Sequence, residues 1–255
     1  MKEQFADIAA AAGTMRTFVV HPQQHGPFPA VILYMDFWGA REELYDIARW
    51  VATVGYCCAV PDLYYRQGIV LNEIHDAEGR MVSLDRLDAA ASAKVLAPLH
   101  KLSDAEAMDD TGALLQFLAG LTAVRNGAAG CFGFCLGGRL ALRAAARFAD
   151  RIKAAASLHG SRLVTDGDDS PHLSAGNIQG EFYCGFAEHD PYTPPQTPAQ
   201  IAAAMQSSRA AYRYEVHAGT AHGYALPNRD IYDKAAALRD WELILAMFRR
   251  QIPPC

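Results

Sequence analysis

The chain has 255 residues, of which 51% are hydrophobic and 20% are charged, and its formal net charge at pH 7 is −5. This length and composition fit one soluble globular domain, and the weak negative charge without a basic cluster excludes an electrostatic case for a nucleic-acid partner. The N-terminus lacks the basic start and apolar stretch of a secretory signal, and the apolar runs are too short to span a bilayer, so we expect a cytoplasmic protein without a membrane partner.

The first half of the chain predicts three strands and three helices. The continuous apolar run over residues 30–35 is typical of a strand that is buried on both faces. The pattern Ser103-Asp104-Ala105-Glu106 matches a capping box and predicts the start of a helix. In chain order, the predicted elements are an edge strand at 17–21, strands at 30–35 and 56–60, and helices at 42–54, 87–99 and 103–119.

The second half alternates more regularly between strands and helices. The predicted elements are strands at 128–134, 152–159, 181–186 and 212–217, and helices at 136–148, 198–207 and 232–251. Such alternation favours an α/β fold with a mostly parallel central sheet and helices on both faces. We found no linker, repeat or low-complexity stretch, so residues 1–255 are predicted to form a single domain, in which the irregular segment 65–101 could act as a cap that shapes a pocket.

The cysteine content argues against a disulfide framework and against a zinc site. Six cysteines are too sparse for a framework in a chain of this length, and their spacing does not match zinc-binding patterns. Four of them lie in strand-like apolar runs, where a free cysteine is usually a small core residue. The acidic loop 166–169 is expected to be a solvated turn, and no metal is predicted. The six are Cys57, Cys58, Cys131, Cys135, Cys184 and Cys255, the last of which is expected to lie at a free end.

The motif with the clearest chemical meaning is Gly133-Phe134-Cys135-Leu136-Gly137-Gly138. It follows a predicted strand and precedes a predicted helix, which is the context of a nucleophile elbow. The sharp turn needs small residues two positions before and after the nucleophile, and Gly133 and Gly137 meet that need. The helix N-terminus also favours a thiolate at Cys135. The alternative is a tight turn that carries a buried, inert cysteine.

Candidate acid and base residues follow later strands in the order that an α/β-hydrolase requires, which is nucleophile, acid, base. Asp190 follows the strand at 181–186, and Pro191 favours an extended backbone before it. His222 follows the strand at 212–217. In isolation, either residue could be a solvated turn residue, but their joint occurrence predicts a Cys135–His222–Asp190 triad.

Three other side chains compete for these roles. Glu188 is close to Asp190 in sequence but does not precede a proline. His217 is expected to lie within its strand. His159 follows a strand that usually carries no triad member.

The loop after the strand at 30–35 is predicted to complete an oxyanion hole. The backbone N–H groups of Phe37 and Leu136 are the candidate donors. Asp36 is a carboxylate at the end of an apolar strand, where it could accept a hydrogen bond from the Cys135 thiol or the His222 imidazolium. Its alternative role is a helix cap or a turn for the segment that begins at Arg41.

These motifs resemble the dienelactone hydrolase family (carboxymethylenebutenolidase) over about residues 12 to 250. The elbow has the family's G-x-C-x-G-G form, the stretch PDLYYRQ at 61–67 is similar to a family motif, and Ala221-His222-Gly223-Tyr224 is similar to the catalytic-histidine loop. The resemblance implies an α/β-hydrolase fold, no cofactor, and a Cys135–Asp190–His222 triad that acts on small cyclic or activated esters.

The sequence departs from the family pattern at two places. Well-known members have a glutamate at the position of Asp36, where it pairs with the resting thiol. They also bind a substrate carboxylate with arginines, one of which stands where this chain has Leu226. Arg80 or Arg86 is a candidate replacement that could anchor an acid.

The leading hypothesis is therefore a hydrolase of small carboxylic esters or lactones, with a small-molecule substrate and an apolar pocket shaped by Phe37, Trp38, Tyr224 and the segment 65–101. One alternative is a redox-sensing thiol protein that uses Cys135 without hydrolysis, although no resolving cysteine is evident because Cys131 lies in the preceding strand. Another alternative is a ligand-binding module on the same scaffold. The sequence leaves the oligomeric state open.

Overall fold

Eight strands of the described residues form one sheet in the order β1-β2-β4-β3-β5-β6-β7-β8. The structure is a computed structural model that describes residues 1–70 and 72–254, so Cys255 lies outside the described residues. Pairs β1–β2 and β2–β4 are antiparallel, and the other neighbours are parallel. The strands are β1 (Lys2–Ala10), β2 (Gly13–His21), β3 (Ala30–Tyr34), β4 (Cys57–Pro61), β5 (Ala129–Phe134), β6 (Ile152–Leu158), β7 (Glu181–His189) and β8 (Ala211–Ala221).

Helices connect the parallel strands, as βαβ units require. They are α1 (Glu42–Thr53), α2 (Ala89–His100), α3 (Asp104–Ala119), α4 (Leu136–Arg147), α5 (Thr197–Met205) and α6 (Lys234–Gln251), with 3₁₀ helices at Tyr65–Gln67, Leu84–Arg86 and Pro171–Asn177. The predicted capping box is present, because the Ser103 side chain accepts from the Glu106 N–H and the Glu106 carboxylate accepts from the Ser103 N–H. This architecture confirms the predicted α/β-hydrolase fold with a mostly parallel sheet.

The N-terminal end of the sheet corrects one prediction. Residues 17–21 were expected to form an edge strand, but β1 pairs antiparallel with β2 along its whole length and covers that edge. Strand β1 was missed because most of its residues are exposed, so its sequence carries little hydrophobic alternation. Every residue of β3 is buried, as the continuous apolar run at 30–35 predicted, and so is every residue of β4 and β5.

The segment 65–101 packs over the end of the sheet where β5 meets α4. Met81 and Val95 contribute to a small apolar cluster with Phe37, Trp38 and Cys135, separate from the main core. The same segment is fastened to the loop after β8, since the Met81 N–H donates to the Asn228 carbonyl at 2.7 Å and the Ser83 hydroxyl donates to Asp230 at 2.5 Å. These bonds hold the segment over Cys135.

Among the residues that the structure describes, none of the helices combines the length and apolar character needed to cross a membrane. The same residues contain no group of three or more His, Cys, Asp or Glu side chains arranged to hold a metal ion.

Candidate active site

Cys135 occupies a strained turn between β5 and α4. Its backbone has φ 55° and ψ −113°, in a region that residues with a Cβ rarely adopt. A Cβ at Gly133 would collide with the backbone of Gly137, and a Cβ at Gly137 would collide with the carbonyl of Tyr34. The two glycines therefore let α4 begin directly against the ends of β3 and β5, which is the geometry of a nucleophile elbow.

Asp190 and His222 meet at the ends of β7 and β8. The Nδ1 atom of His222 lies 2.8 Å from Oδ2 of Asp190, and both side chains are buried. The other oxygen of Asp190 accepts from the Tyr192 N–H at 2.9 Å. The Nε2 atom of His222 makes no hydrogen bond within the described part of the chain. The pair is arranged so that the carboxylate can fix the imidazole tautomer and leave Nε2 for proton transfer.

The protonated form of His222 is favoured by its neighbours. Burial lowers the pKa of His222, but Cys135 and Asp190 together raise it to about 10. Cys135 and the Asp190 carboxylate both act on the His222 imidazole, and both favour its charged form. His217, one of the competing histidines, is bonded to Asp240 at 2.7 Å, whereas His222 is the histidine bonded to Asp190.

The thiol of Cys135 has a neighbour that the sequence did not reveal. Its Sγ atom donates to the hydroxyl of Ser161 at 3.6 Å, and the Ser161 N–H donates to the Cys135 carbonyl at 3.1 Å. Ser161 follows β6 by three residues, and only the parallel pairing of β5 with β6 brings it to the elbow. A serine in a loop of mixed polarity carries no signal by itself.

The two candidate oxyanion donors belong to the elbow itself and to the loop after β3. Leu136 is the first residue of α4, where an N–H has no partner within the helix. Phe37 belongs to the loop after β3, and its carbonyl accepts from the Tyr64 hydroxyl at 3.0 Å. That bond fixes the peptide on one side of Phe37, and Phe37 packs in the same apolar cluster as Cys135.

Asp36 makes contacts different from the ones expected of it. Its two carboxylate oxygens accept from Arg41 at 2.6 and 3.1 Å, and one of them also accepts from the Trp38 N–H at 3.0 Å. Neither Cys135 nor His222 is among its hydrogen-bond partners in the described residues. Of its alternative roles, the turn is observed, because Asp36 accepts from the Trp38 N–H two residues later. The helix cap is not, since α1 has no side-chain cap hydrogen bond.

Three of the four residues that the sequence placed in the substrate pocket are held elsewhere by polar partners. Tyr224 is fully buried and its hydroxyl donates to Asp240 at 2.6 Å. Arg80 is exposed and paired with Asp76 and Glu78, while Arg86 is paired with Asp230 at 2.6 Å. The sequence could not show these partners, so the two arginines stand as surface ion pairs and not as acid anchors.

The fourth residue, Trp38, is buried beneath another cation. Its ring lies 5.5 Å from the guanidinium carbon of Arg229. Arg229 is 4% exposed, its Nε atom has no hydrogen-bond partner, and no carboxylate pairs with it among the described residues. No feature of the sequence pointed to Arg229. This arginine lies seven residues after His222, and its burial depends on the tertiary contacts of that loop.

Two cavities open beside the candidate triad. One has a volume of about 310 Å³ and includes Cys135 and Ser161 in its wall. The other has a volume of about 60 Å³ and includes His222 and Arg229. Phe37, Leu84 and Tyr192 line both cavities. The wall of the larger cavity also includes Leu96, Leu99 and Leu102. The arrangement can hold a small molecule with an apolar part near the thiol and an anionic part near Arg229.

Comparison with known proteins agrees with this geometry. The family model described as "Dienelactone hydrolase family" matches residues 15–252. The "Putative carboxymethylenebutenolidase" of Synechocystis sp. is 25% identical over 238 residues, covering 92% of this chain and 91% of that protein. The "Probable 2-oxo-3-(5-oxofuran-2-ylidene)propanoate lactonase" of Bradyrhizobium sp. is 24% identical over 249 residues, covering 96% and 93%.

A solved structure shows the same fold. The crystal structure of a "Putative Dienelactone Hydrolase" from Klebsiella pneumoniae superposes with a TM-score of 0.82 at 23% identity, and the match covers 98% of each chain. The family match spans nearly the whole chain and includes the elbow, the Asp190 turn and the His222 loop. This chain therefore belongs to the dienelactone hydrolase family.

Proposed function

We propose that the protein hydrolyses small carboxylic esters or lactones through a thioester formed on Cys135. The observation that carries this proposal is the buried His222–Asp190 pair, 2.8 Å apart, next to a cysteine on a strained elbow turn. The family to which the chain belongs and the lactonase named among its relatives support the same reaction class.

In the proposed acylation step, His222 and Cys135 act in turn. His222 Nε2 takes the thiol proton, and the Cys135 sulfur attacks the carbonyl carbon of the substrate. The N–H groups of Phe37 and Leu136 stabilise the oxyanion of the tetrahedral intermediate. The C–O bond to the leaving alcohol then breaks, and His222 returns the proton to the alkoxide. In a lactone the released alcohol stays attached to the acyl group.

Deacylation uses the same groups in the reverse direction. His222 removes a proton from a water molecule, which attacks the thioester carbonyl. The intermediate collapses, the C–S bond breaks, and the sulfur recovers the proton from His222 as the carboxylic acid leaves. Asp190 stabilises the imidazolium in both halves of the reaction.

Arg229 supports a substrate that carries an anionic group. A buried guanidinium without a carboxylate partner is costly, and a bound carboxylate would supply the missing charge and hydrogen bonds. Arg139, which lines the larger cavity, is already paired with Asp104 at 3.0 Å, and Arg162 is exposed. Arg229 is thus the buried cation available to a ligand in this site.

The test is turnover of a panel of small esters and lactones by the wild type, by Cys135→Ala and by Cys131→Ala. We expect loss of turnover in the first variant, while the second keeps it because Cys131 lies in the core and burial raises the pKa of its thiol. Rapid quenching with intact-mass measurement should reveal an acyl adduct on Cys135. Full turnover by Cys135→Ala would refute the proposal.

A further inference from the structure

His159 is a buried histidine whose ring has no polar partner. It follows β6 directly and is 1% exposed, and its backbone has φ 37°, in the left-handed region. Its N–H donates to the Gly185 carbonyl at 2.8 Å, but both ring nitrogens lack hydrogen bonds to the described residues. An imidazole in this situation forgoes two hydrogen bonds on a strained backbone, which calls for a reason beyond packing.

The contact that offers such a reason is with the candidate base. The rings of His159 and His222 lie 4.9 Å apart at an angle of 71°. Tyr192 approaches the His222 ring in nearly the same way, at 4.8 Å and 71°. His159 and Tyr192 together form a slot around the His222 ring, which we call the ring slot. Edge-to-face contacts of this kind favour one ring orientation over others.

His159 is itself held in place from behind. Its ring packs against Tyr224 at 5.5 Å, and the Tyr224 hydroxyl donates to the buried Asp240 at 2.6 Å. Asp240 also accepts from the Tyr183 hydroxyl at 2.6 Å, so its position is fixed from β7 as well. The buried side of the ring slot is thus anchored to the core, while Tyr192 forms its half-buried side.

The surroundings of His159 keep its ring neutral. Burial, with the nearby His222 and Arg229, lowers the pKa of His159 well below its usual range. The titratable groups that act on His222 are Cys135 and Asp190, which favour its charged form. A neutral ring can adjoin the His222 imidazolium without charge repulsion, whereas a second imidazolium could not.

We propose that His159 is a positioning residue for the base, which acts through the ring slot to hold His222 with Nδ1 on Asp190 and Nε2 available to Cys135. The inference rests on the proposed function, because it assigns a role to the ring next to the proposed base. What the reaction requires of His159 is a flat, neutral ring and not a hydrogen bond.

The experiment compares His159→Leu with the conservative His159→Phe. The readouts are turnover of an ester and the pH dependence of Cys135 alkylation by iodoacetamide, followed by mass spectrometry of the Cys135 peptide. In His159→Leu the His222 ring can turn away from Asp190 and Cys135. We therefore expect kcat to fall at least about tenfold with KM little changed. The midpoint of the acid limb of the alkylation profile should move up by about one pH unit. His159→Phe should keep most of the wild-type kcat and an alkylation profile close to that of the wild type.

A purely structural role predicts a different pattern, and two further variants separate the cases. Phe132→Leu shortens a buried ring of β5 whose ring contacts are with Phe134, Trp241 and Phe248, so it should lower the melting temperature without moving the alkylation profile. Tyr192→Leu opens the half-buried side of the ring slot and should shift the profile in the same direction as His159→Leu, even if the latter fails to fold.

The outcomes also distinguish this inference from the proposed function. Wild-type turnover that survives complete alkylation of Cys135 would refute the proposed function. Turnover that depends on Cys135, with unshifted alkylation profiles in both His159→Leu and Tyr192→Leu, would overturn the ring slot alone. An equal loss of kcat in His159→Leu and His159→Phe would also overturn the ring-slot proposal, because the aromatic ring of His159→Phe should restore turnover.

Discussion

Arg41 and Arg229 are each 4% exposed, but only Arg41 has carboxylates within salt-bridge distance among the described residues. Arg41, in the loop that carries Phe37, bonds to Asp36 at 2.6 Å and to Glu43 at 2.6 Å. Arg229, next to His222, has the face of Trp38 at 5.5 Å and no carboxylate at salt-bridge distance among the described residues, although its charge helps to lower the pKa of the adjacent Asp230. A buried cation with two carboxylates completes a structural network, whereas a buried cation with none is placed to meet a ligand.

The Arg41 network also reaches the loop after His222. The second oxygen of Glu43 accepts from the Asn228 N–H at 2.8 Å, and Asn228 is the residue before Arg229. Burial lowers the pKa of Arg41, but Asp36 and Glu43 raise it above its usual range, so the cation persists. The paired arginine therefore helps to position the unpaired one.

The largest expected effect is on stability and would test whether the two arginines differ as described. Arg41→Met leaves two buried carboxylates without their cation, and should lower the free energy of unfolding by about 3–5 kcal/mol. Arg229→Met removes a buried charge that has no carboxylate partner and should leave stability unchanged or higher. Urea unfolding of both variants measures the change in unfolding free energy. Equal decreases in the two variants would contradict the proposed difference between Arg41 and Arg229.

A smaller effect is expected on substrate choice. With pairs of esters that differ only in a carboxylate and its neutral methyl ester or amide, Arg229→Met should lower kcat/KM for the anionic member by about 10- to 100-fold, since a hydrogen bond to a charged group contributes about 1.5–3 kcal/mol. The neutral member should change little. Arg86→Met is the matched control, because that arginine is exposed and paired with Asp230.

The base region should also show a pH dependence of stability. The folded pKa of His222 is raised to about 10, above the unfolded value of about 6.5. Its contribution is therefore fully present below pH 6.5 and is lost as pH rises toward 10. We expect unfolding free energy to fall across this window more steeply in the wild type than in His222→Asn. Parallel slopes in urea titrations at successive pH values would contradict the assignment.

The smallest expected effect concerns Ser161. Its hydroxyl accepts a long hydrogen bond from the Cys135 thiol at 3.6 Å, which is weak because sulfur is a poor donor. Ser161→Ala should change kcat/KM by no more than about threefold, within the energy of one weak hydrogen bond. Ser161→Thr, which keeps the hydroxyl, serves as its control, and a loss of two orders of magnitude in Ser161→Ala alone would give Ser161 a larger role.

The sequence by itself determined the features that follow from local chain geometry. The elbow around Cys135 was predictable because its glycines must stand two positions away on either side in a turn that has no room for a Cβ. The meeting of Cys135, Asp190 and His222, which follow β5, β7 and β8, was predictable because parallel strands end at one edge of a sheet. The burial of β3 was predictable from the continuous apolar run at 30–35.

Only the tertiary structure decided which polar groups meet across the chain. Asp36 forms an ion pair with Arg41, the Tyr224 hydroxyl donates to Asp240, and Arg86 forms an ion pair with Asp230. These residues, which were expected at the site, therefore have structural roles. Arg229 and His159 were singled out because their side chains, although buried, lack polar partners among the described residues. The periodicity and spacing of a sequence cannot show this. Partner choice depends on burial and on distances between loops, and those are set when the sheet and the segment 65–101 pack together.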